Sequence, residues 1–274
     1  MDVLESSLAG RLVPDELREL VEPLLPRFEA RWQGGGTAPI EDRAVFTAVV
    51  YVLTSGCAWR HLPSEFGVSV PTAHRRFQAW TRAGVWPRPH RKILDLHGVA
   101  GRVDWSSAIV DAASLRGKKG GSLTGPNPVD RGKPGSKIHV LTDAGGLPLV
   151  VAVSPANPHD SGAFVPLVAS IPAIRSRRGP RRRHPATLRA GKAYDQPERR
   201  RFLRRRGIAV RIARRGVDST ERLGRHRWKV ERTLAWLGGY RRLSPRYERN
   251  GYNFLGFLCL AAAITCWKKL PHST

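Results

Sequence analysis

The chain has 274 residues, few of them cysteine or acidic, and it lacks long apolar runs. Its three cysteines do not have the spacing of a metal site. Their small and odd number excludes a disulfide scaffold and is typical of proteins in a reducing compartment. No apolar run approaches the roughly 20 residues of a membrane-spanning helix. The first residues lack both a cationic start and an apolar core, so we expect no secretory signal. These absences predict a cytoplasmic protein without a membrane partner.

The shortage of acidic side chains leaves a large cationic excess. Only 22 Asp and Glu residues oppose 47 Lys and Arg residues, which gives a formal net charge of +25 at pH 7. Most of the cations are arginine, whose guanidinium binds phosphate through paired hydrogen bonds. The excess favours a nucleic-acid partner. A GC-rich genome, which favours arginine codons, is the alternative explanation.

Helical periodicity dominates the first third of the chain. Apolar residues recur at helical intervals over 12–24, 41–55 and 69–80, and a glycine-rich turn occupies 31–39. The break at Gly67 before the third helix predicts a helix-turn-helix. The alternative is a helical cap whose arginines are merely solvated. The helix-turn-helix interpretation places four side chains of the third helix on DNA: Thr72, Arg75, Arg76 and Gln78.

From residue 105 onward the pattern changes to short apolar strands. A hairpin signal at 143–146 joins two of the first three strands, which predicts an antiparallel meander. Two more strands alternate with helices, and the last third is helical, which together predict an α/β layout of the ribonuclease-H type. The predicted strands are 107–114, 137–142, 147–153, 186–190 and 208–212; the predicted helices are 91–96, 161–170, 197–206, 223–237 and 254–268. We predict a helical DNA-binding domain at 1–86, a linker at 87–104 and a ribonuclease-H-like domain at 105–274.

Two stretches are extreme in positive charge. Residues 175–184 have no helical or strand period, and residues 199–206 carry arginines on a predicted helix. Because closely spaced like charges repel each other, a phosphate partner explains them better than a solvated surface does. In the first stretch we expect four arginines to contact nucleic acid: Arg177, Arg178, Arg181 and Arg182.

A carboxylate in the middle of an apolar strand is costly unless it is used, and a surface aspartate at the strand end is the alternative interpretation of Asp111. Asp111 interrupts an apolar strand, and Glu231 follows Arg227 by one turn of a predicted helix. Phosphoryl transfer between nucleic-acid strands uses two metal ions, and Mg²⁺ takes oxygen ligands. Converging carboxylates from separate elements therefore indicate a metal site.

Six motifs stand out along the chain, at 62–67, 72–77, 130–137, 157–161, 192–195 and 225–233. In these motifs the chain resembles the bacterial insertion-sequence transposases of the DDE class over nearly its whole length. The resemblance implies a ribonuclease-H-like catalytic domain behind a helical DNA-binding domain. It also implies Mg²⁺-dependent cleavage and joining of transposon ends, with Mn²⁺ as a substitute.

Two of the family's three catalytic carboxylates can be matched to residues of this sequence, and one cannot. Asp111 matches the first catalytic aspartate, and Glu231 matches the final glutamate. The second aspartate should precede the motif at 192–195, where this chain has Gly191. Arg227 accompanies the glutamate and is expected to hold a DNA phosphate; an intrahelical salt bridge with Glu231 is the alternative. Lys137 and Lys192, which lie within the motifs, complete the expected DNA contacts.

Gly191 makes the activity of this chain the open question. Asp195 lies four residues later, but with Glu198 three residues further on it is typical of a helix N-cap. We therefore expect a transposase with impaired catalysis, acting on nucleoid DNA. Its partners would be the terminal inverted repeats and the target DNA, and it would form a homo-oligomer on them. The alternatives are an inactive, transposase-derived DNA-binding protein or repressor, and a structured RNA-binding protein.

Overall fold

A computed structural model of the chain describes residues 7–26, 40–217 and 220–271. The turn predicted at 31–39 lies outside the described residues. The helices are α1 (Leu8–Leu12), α2 (Asp15–Val21), α3 (Asp42–Ser55), α4 (Val70–Arg82), α5 (Pro87–Val99), α6 (Phe164–Ala169), α7 (Pro197–Arg205), α8 (Thr220–Gly238) and α9 (Gly251–Trp267). The strands are β1 (Ala108–Arg116), β2 (Gly125–Pro126), β3 (Pro134–Asp143), β4 (Pro148–Pro155), β5 (Thr187–Ala190) and β6 (Ala209–Ile212). Across these ranges no helix combines the length and apolarity needed to cross a membrane.

The strands form one mixed sheet in which β1 is central. β1 pairs antiparallel with β3, and β3 pairs antiparallel with β4, as the predicted meander requires. On its other side β1 pairs parallel with β5, and β5 pairs parallel with β6. The short β2 shares the β4 edge of β3. This is the α/β, ribonuclease-H-like layout that the sequence predicts.

The N-terminal helices pack onto the sheet region through the C-terminal helix. The buried face of α4 carries Ala73, Phe77 and Trp80, as its periodicity predicts. The ring of Phe77 stacks on Phe257 of α9, with a distance of 4.3 Å between centroids. The segment expected to be a linker with a short helix at 91–96 forms the longer helix α5, which also packs against α9. One continuous core therefore joins the helical part to the sheet.

Buried arginines tie the segment between α8 and α9 to the rest of the molecule. Arg242 and Glu248 form a buried ion pair, and Arg242 also donates a 2.7 Å hydrogen bond to the carbonyl of Cys57 beyond α3. Arg246 is 1% exposed and donates to the hydroxyl of Ser136 on β3. These contacts fix the C-terminal helices, including α8, against the sheet.

Candidate active site

The central strands place residues 111 and 191 side by side. In the parallel pairing of β1 with β5, Ile109 lies opposite Arg189 and Val110 opposite Ala190. The next residues along the two strands are Asp111 and Gly191. Paired residues of neighbouring strands point to the same face of a sheet. A side chain at position 191 would therefore leave the sheet beside that of Asp111.

Helix α8 covers this face and brings Glu231 to Asp111 through Arg227. Arg227 Nε lies 3.0 Å from Asp111 Oδ2 and 3.1 Å from Glu231 Oε1. The Asp111 side chain is 15% exposed, whereas those of Arg227 and Glu231 are about half exposed. The two carboxylates that the sequence singles out thus flank one guanidinium. The salt bridge with Glu231, weighed from the sequence as an alternative role for Arg227, is present.

The electrostatics of Arg227 follow from these contacts. The neighbouring Asp111 carboxylate is the largest cause of a raised Arg227 pKa, and Glu231 adds to the shift. Arg227 therefore carries a full positive charge at neutral pH and balances one of the two carboxylates.

Position 191 has the space and the backbone for a larger side chain. Gly191 has φ −69° and ψ 172°, an extended conformation open to any residue. A Cβ atom built there meets no atom of the described residues within 4 Å. The adjoining cavity, of about 40 Å³, is lined by Gly191, Arg189, Arg211 and Arg227 together with Ile109, Val110, Ala190 and His226. Neither strain nor crowding accounts for the glycine.

Asp195 has a structural role, but not the helix cap that the sequence suggests. The cap residue of α7 is Gln196, and no side chain caps that helix. Asp195 Oδ1 instead accepts hydrogen bonds of 2.9 and 2.7 Å from Arg200, and Oδ2 accepts one from the backbone of Arg215. These donors lower the Asp195 pKa. The N-cap interpretation was wrong because the arginines of α7 and of the segment after β6 take both oxygens.

The proposed DNA contacts of α4 differ in how free their side chains are. Arg75 is exposed, and Gln78 is half-buried. The hydroxyl of Thr72 hydrogen-bonds with that of Ser69 at 3.0 Å. Arg76 is 11% exposed and paired with Asp42 of α3, because it lies on the side of α4 that faces α3. Arg75 is thus the most accessible cation of this set.

The arginine-rich loop between α6 and β5 contacts the rest of the molecule through several of its residues. Arg181 donates to both carboxylate oxygens of Asp95 on α5, at 2.9 and 3.0 Å. Arg182 lies over the ring of Trp105, 5.6 Å from its centroid. Arg177 and Arg178 are exposed at the loop tip.

The two lysines of the motifs occupy different surroundings. Lys137 Nζ lies 2.7 Å from Asp160 Oδ1 and 2.7 Å from the Pro158 carbonyl, and its side chain is 12% exposed. Lys192 follows Gly191 directly and is half-buried at the start of a short 3-10 turn. Lys192 is therefore the lysine nearer to the candidate site.

Sequence reasoning missed three side chains around position 191. Arg189 and Arg211 lie opposite each other on β5 and β6 and line the cavity. Among the described residues the buried hydroxyl of Tyr194 has no hydrogen-bond partner, and burial, Asp160 and Asp111 raise its pKa. Strand alternation could have found Arg189, since residues 189 and 191 share a face of β5.

Comparisons with known proteins agree with this architecture. The family model described as "Putative transposase of IS4/5 family" matches residues 13–90, and the model "Transposase DDE domain" matches residues 106–266. The carboxylate-bearing sheet domain is thus that of a DDE transposase. The chain belongs to the IS4/5 family of these transposases.

Two relatives come from one insertion element of Burkholderia cepacia. "Putative transposase for insertion sequence element IS402" is 44% identical over 150 residues, which are 55% of this chain and 71% of the relative. "Insertion element IS402 uncharacterized 16.2 kDa protein" is 39% identical over 123 residues, 44% of this chain and 84% of the relative. Among solved structures, the "Mos1 transposase paired-end complex with left transposon end" is 11% identical with a TM-score of 0.27, over 87% of this chain and 81% of that one.

DDE transposase domains generally depend on divalent metal ions, and the residues present here fit such an ion poorly. Asp111 and Glu231 supply two carboxylates, but the Arg227 cation lies between them. Position 191 contributes no side-chain oxygen. Within the described residues no group of three or more His, Cys, Asp or Glu side chains is placed to hold a metal.

Proposed function

We propose that this chain binds the terminal inverted repeats of its own insertion element but cleaves and joins DNA poorly. The observation that carries the second part is the open cavity at Gly191, beside Asp111 and next to the guanidinium of Arg227. With glycine at 191 and one of the two carboxylates balanced by Arg227, the cluster of Asp111, Arg227 and Glu231 carries about one net negative charge, where the family resemblance implies three carboxylates.

The DNA-binding part rests on family membership and charge. A formal charge of +25 favours association with a polyanion. Exposed arginines at two places, Arg75 on α4 and Arg177 and Arg178 on the loop, are suited to phosphate contacts. We infer that the chain acts on nucleoid DNA in the cytoplasm, including target DNA, and forms a homo-oligomer there. A completed site would take Mg²⁺, or Mn²⁺ as a substitute, because its ligands would be carboxylate oxygens.

The incomplete site also favours a second function. A chain that holds the element ends without cutting them would act as a repressor of transposition, because it occupies the DNA that an active transposase needs. The two functions share the DNA contacts and differ only at the chemical site.

One pair of assays separates these functions. Labelled duplexes carrying the element ends are incubated with the full chain, first to measure binding and then to measure cleavage in Mg²⁺ and in Mn²⁺. We expect binding to end DNA to be tighter than to unrelated duplex or to RNA, with little cleavage. Efficient cleavage by the unaltered chain would contradict the impaired-transposase account, and equal affinity for RNA would contradict the DNA assignment.

A further inference from the structure

The cavity at Gly191, where the family resemblance implies a carboxylate, is lined by cations. Arg189 and Arg211 are opposite each other in the parallel register of β5 and β6, so both side chains leave the same face of the sheet. That face also carries Asp111 and Gly191, and α8 covers it with Arg227. Three guanidinium groups therefore border a cavity of about 40 Å³.

Two of these cations lack a counter-charge. Arg227 is engaged by Asp111 and Glu231. The side chains of Arg189 and Arg211 form neither an ion pair nor a hydrogen bond within the part of the chain that the structure describes, and Arg189 Nε is a buried donor without an acceptor there. Burial and the charge of Arg211 lower the Arg189 pKa, which shows that the two cations oppose each other.

An unpaired buried donor beside a second cation is costly unless an anion satisfies both. We propose that the cavity at Gly191 is an oxyanion site, in which Arg189 and Arg211 hold a phosphate group. In a chain with aspartate at 191, that carboxylate would balance these arginines. Its absence leaves room for an external oxyanion. About 10–15 Å³ of such volume holds one water, so 40 Å³ holds a few waters or one small tetrahedral group.

The phosphate has two sources, a DNA backbone or the free ion. Both offer the same oxygens, and arginine pairs with either through two hydrogen bonds. Arg211 is exposed, so the cavity is accessible from solvent. This inference deepens the proposed DNA binding, but its first test needs no DNA.

The test is a calorimetric titration of the full chain with inorganic phosphate, in a buffer free of other oxyanions. We expect saturable binding that weakens about tenfold or more in Arg189→Gln and in Arg211→Gln, since each removes a charge-assisted hydrogen bond. Gly191→Asp should abolish it, because the new carboxylate occupies the cavity. Arg91→Gln, an exposed arginine of α5 outside the two arginine-rich stretches, is the matched control and should bind as the unaltered chain does. Because Arg211 is exposed, its variant keeps the test valid even if Arg189→Gln unfolds.

Two results would overturn the proposal: no saturable binding, or equal weakening in the control and the two site variants. A second arm adds end-DNA duplex to the phosphate-loaded chain. Displacement of phosphate identifies a backbone phosphate as the natural ligand, and retention identifies the free ion; either supports an oxyanion site. DNA binding without phosphate binding contradicts this inference alone. Phosphate binding without DNA binding contradicts the proposed function alone.

Discussion

At the scale of single residues, Gly191 stands out because its backbone conformation does not require glycine. Its φ of −69° is open to every residue, and a Cβ atom would meet open space. A glycine here thus changes the chemistry that the position can support without requiring a change in the fold. We propose that this position lacks a metal ligand beside Asp111 and leaves a cavity for an anion beside Arg189.

Two buried histidines give a pH prediction at this scale. Burial lowers the pKa of His90 and of His139 from 6.5 to about 4 each. His90 Nε2 donates a hydrogen bond of 2.8 Å to the Pro148 carbonyl, and the ring is buried. As the pH falls, each histidine binds a proton near pH 6.5 in the unfolded chain but only near pH 4 in the folded chain. The free energy of unfolding should therefore fall between pH 6.5 and 4, by about 3 kcal/mol for each histidine.

Urea unfolding at pH 7 and pH 4.5 measures this loss. His90→Gln keeps a side-chain N–H donor but cannot titrate, so its unfolding free energy should fall less over this range. His184, which is exposed, provides the control: His184→Gln should keep the full pH dependence. If His90→Gln and the unaltered chain lost the same free energy, His90 would not be the source.

At the scale of elements, the segment between α8 and α9 depends on an internal ion pair. Arg242 Nη2 lies 2.6 Å from Glu248 Oε1, and the two side chains are 7% and 5% exposed. Glu248→Ala would leave a buried guanidinium without its counter-charge. We expect it to lower the free energy of unfolding by about 3–5 kcal/mol.

The matched control is Glu22→Ala. Glu22 pairs with Arg18 at 3.2 Å, but on the surface with 54% of its side chain exposed. Such pairs contribute about 0–1 kcal/mol. Thermal or urea unfolding of both variants compares a buried pair with an exposed one. Equal losses would show that the Arg242–Glu248 contact is not a stabilising link.

The elements were largely predictable from periodicity, because each buries one face. The alternation in β1, β3 and β4 and the 3.6-residue spacing in α3 and α4 gave the meander and the helix pair. Helix α1 and the two-residue β2 were missed, because segments this short have too few repeats to show a period. α5 was taken for a linker with a short helix, because its burial depends on α9, far away in sequence.

The site was predictable only where a carboxylate stood out in an apolar strand. Asp111 and Glu231 come together as expected, but the way Arg227 joins them depends on the tertiary position of α8. The pairing of Arg189 with Arg211 depends on the parallel register of β5 and β6, which neither strand encodes alone. Asp195 was misjudged because its local pattern fits a cap, while its partners Arg200 and Arg215 follow later in the chain.

At the scale of the whole molecule, the charge of +25 makes any complex with DNA sensitive to salt. The logarithm of the DNA affinity should fall linearly with the logarithm of salt concentration. Replacing both Arg177 and Arg178 with Gln should reduce that slope by about 1–2 and weaken binding equally for all sequences. Fluorescence anisotropy at several salt concentrations measures both quantities.

The control for this prediction is Arg91→Gln, an exposed arginine of α5. Its slope should match that of the unaltered chain if the loop at 175–184, rather than overall charge, contacts the DNA. A reduction equal to that seen per residue in the loop variant would assign the effect to net charge alone.

The central claim is that one missing carboxylate separates this chain from an active transposase. The measurement is the joining of labelled element-end DNA to a target duplex, in Mg²⁺ and in Mn²⁺, by the unaltered chain, Gly191→Asp and Gly191→Asn. The asparagine variant has nearly the same shape as aspartate but lacks its charge. The account predicts joining by Gly191→Asp and almost none by the other two, with similar DNA binding by all three. Equal joining by the unaltered chain and Gly191→Asp would contradict it.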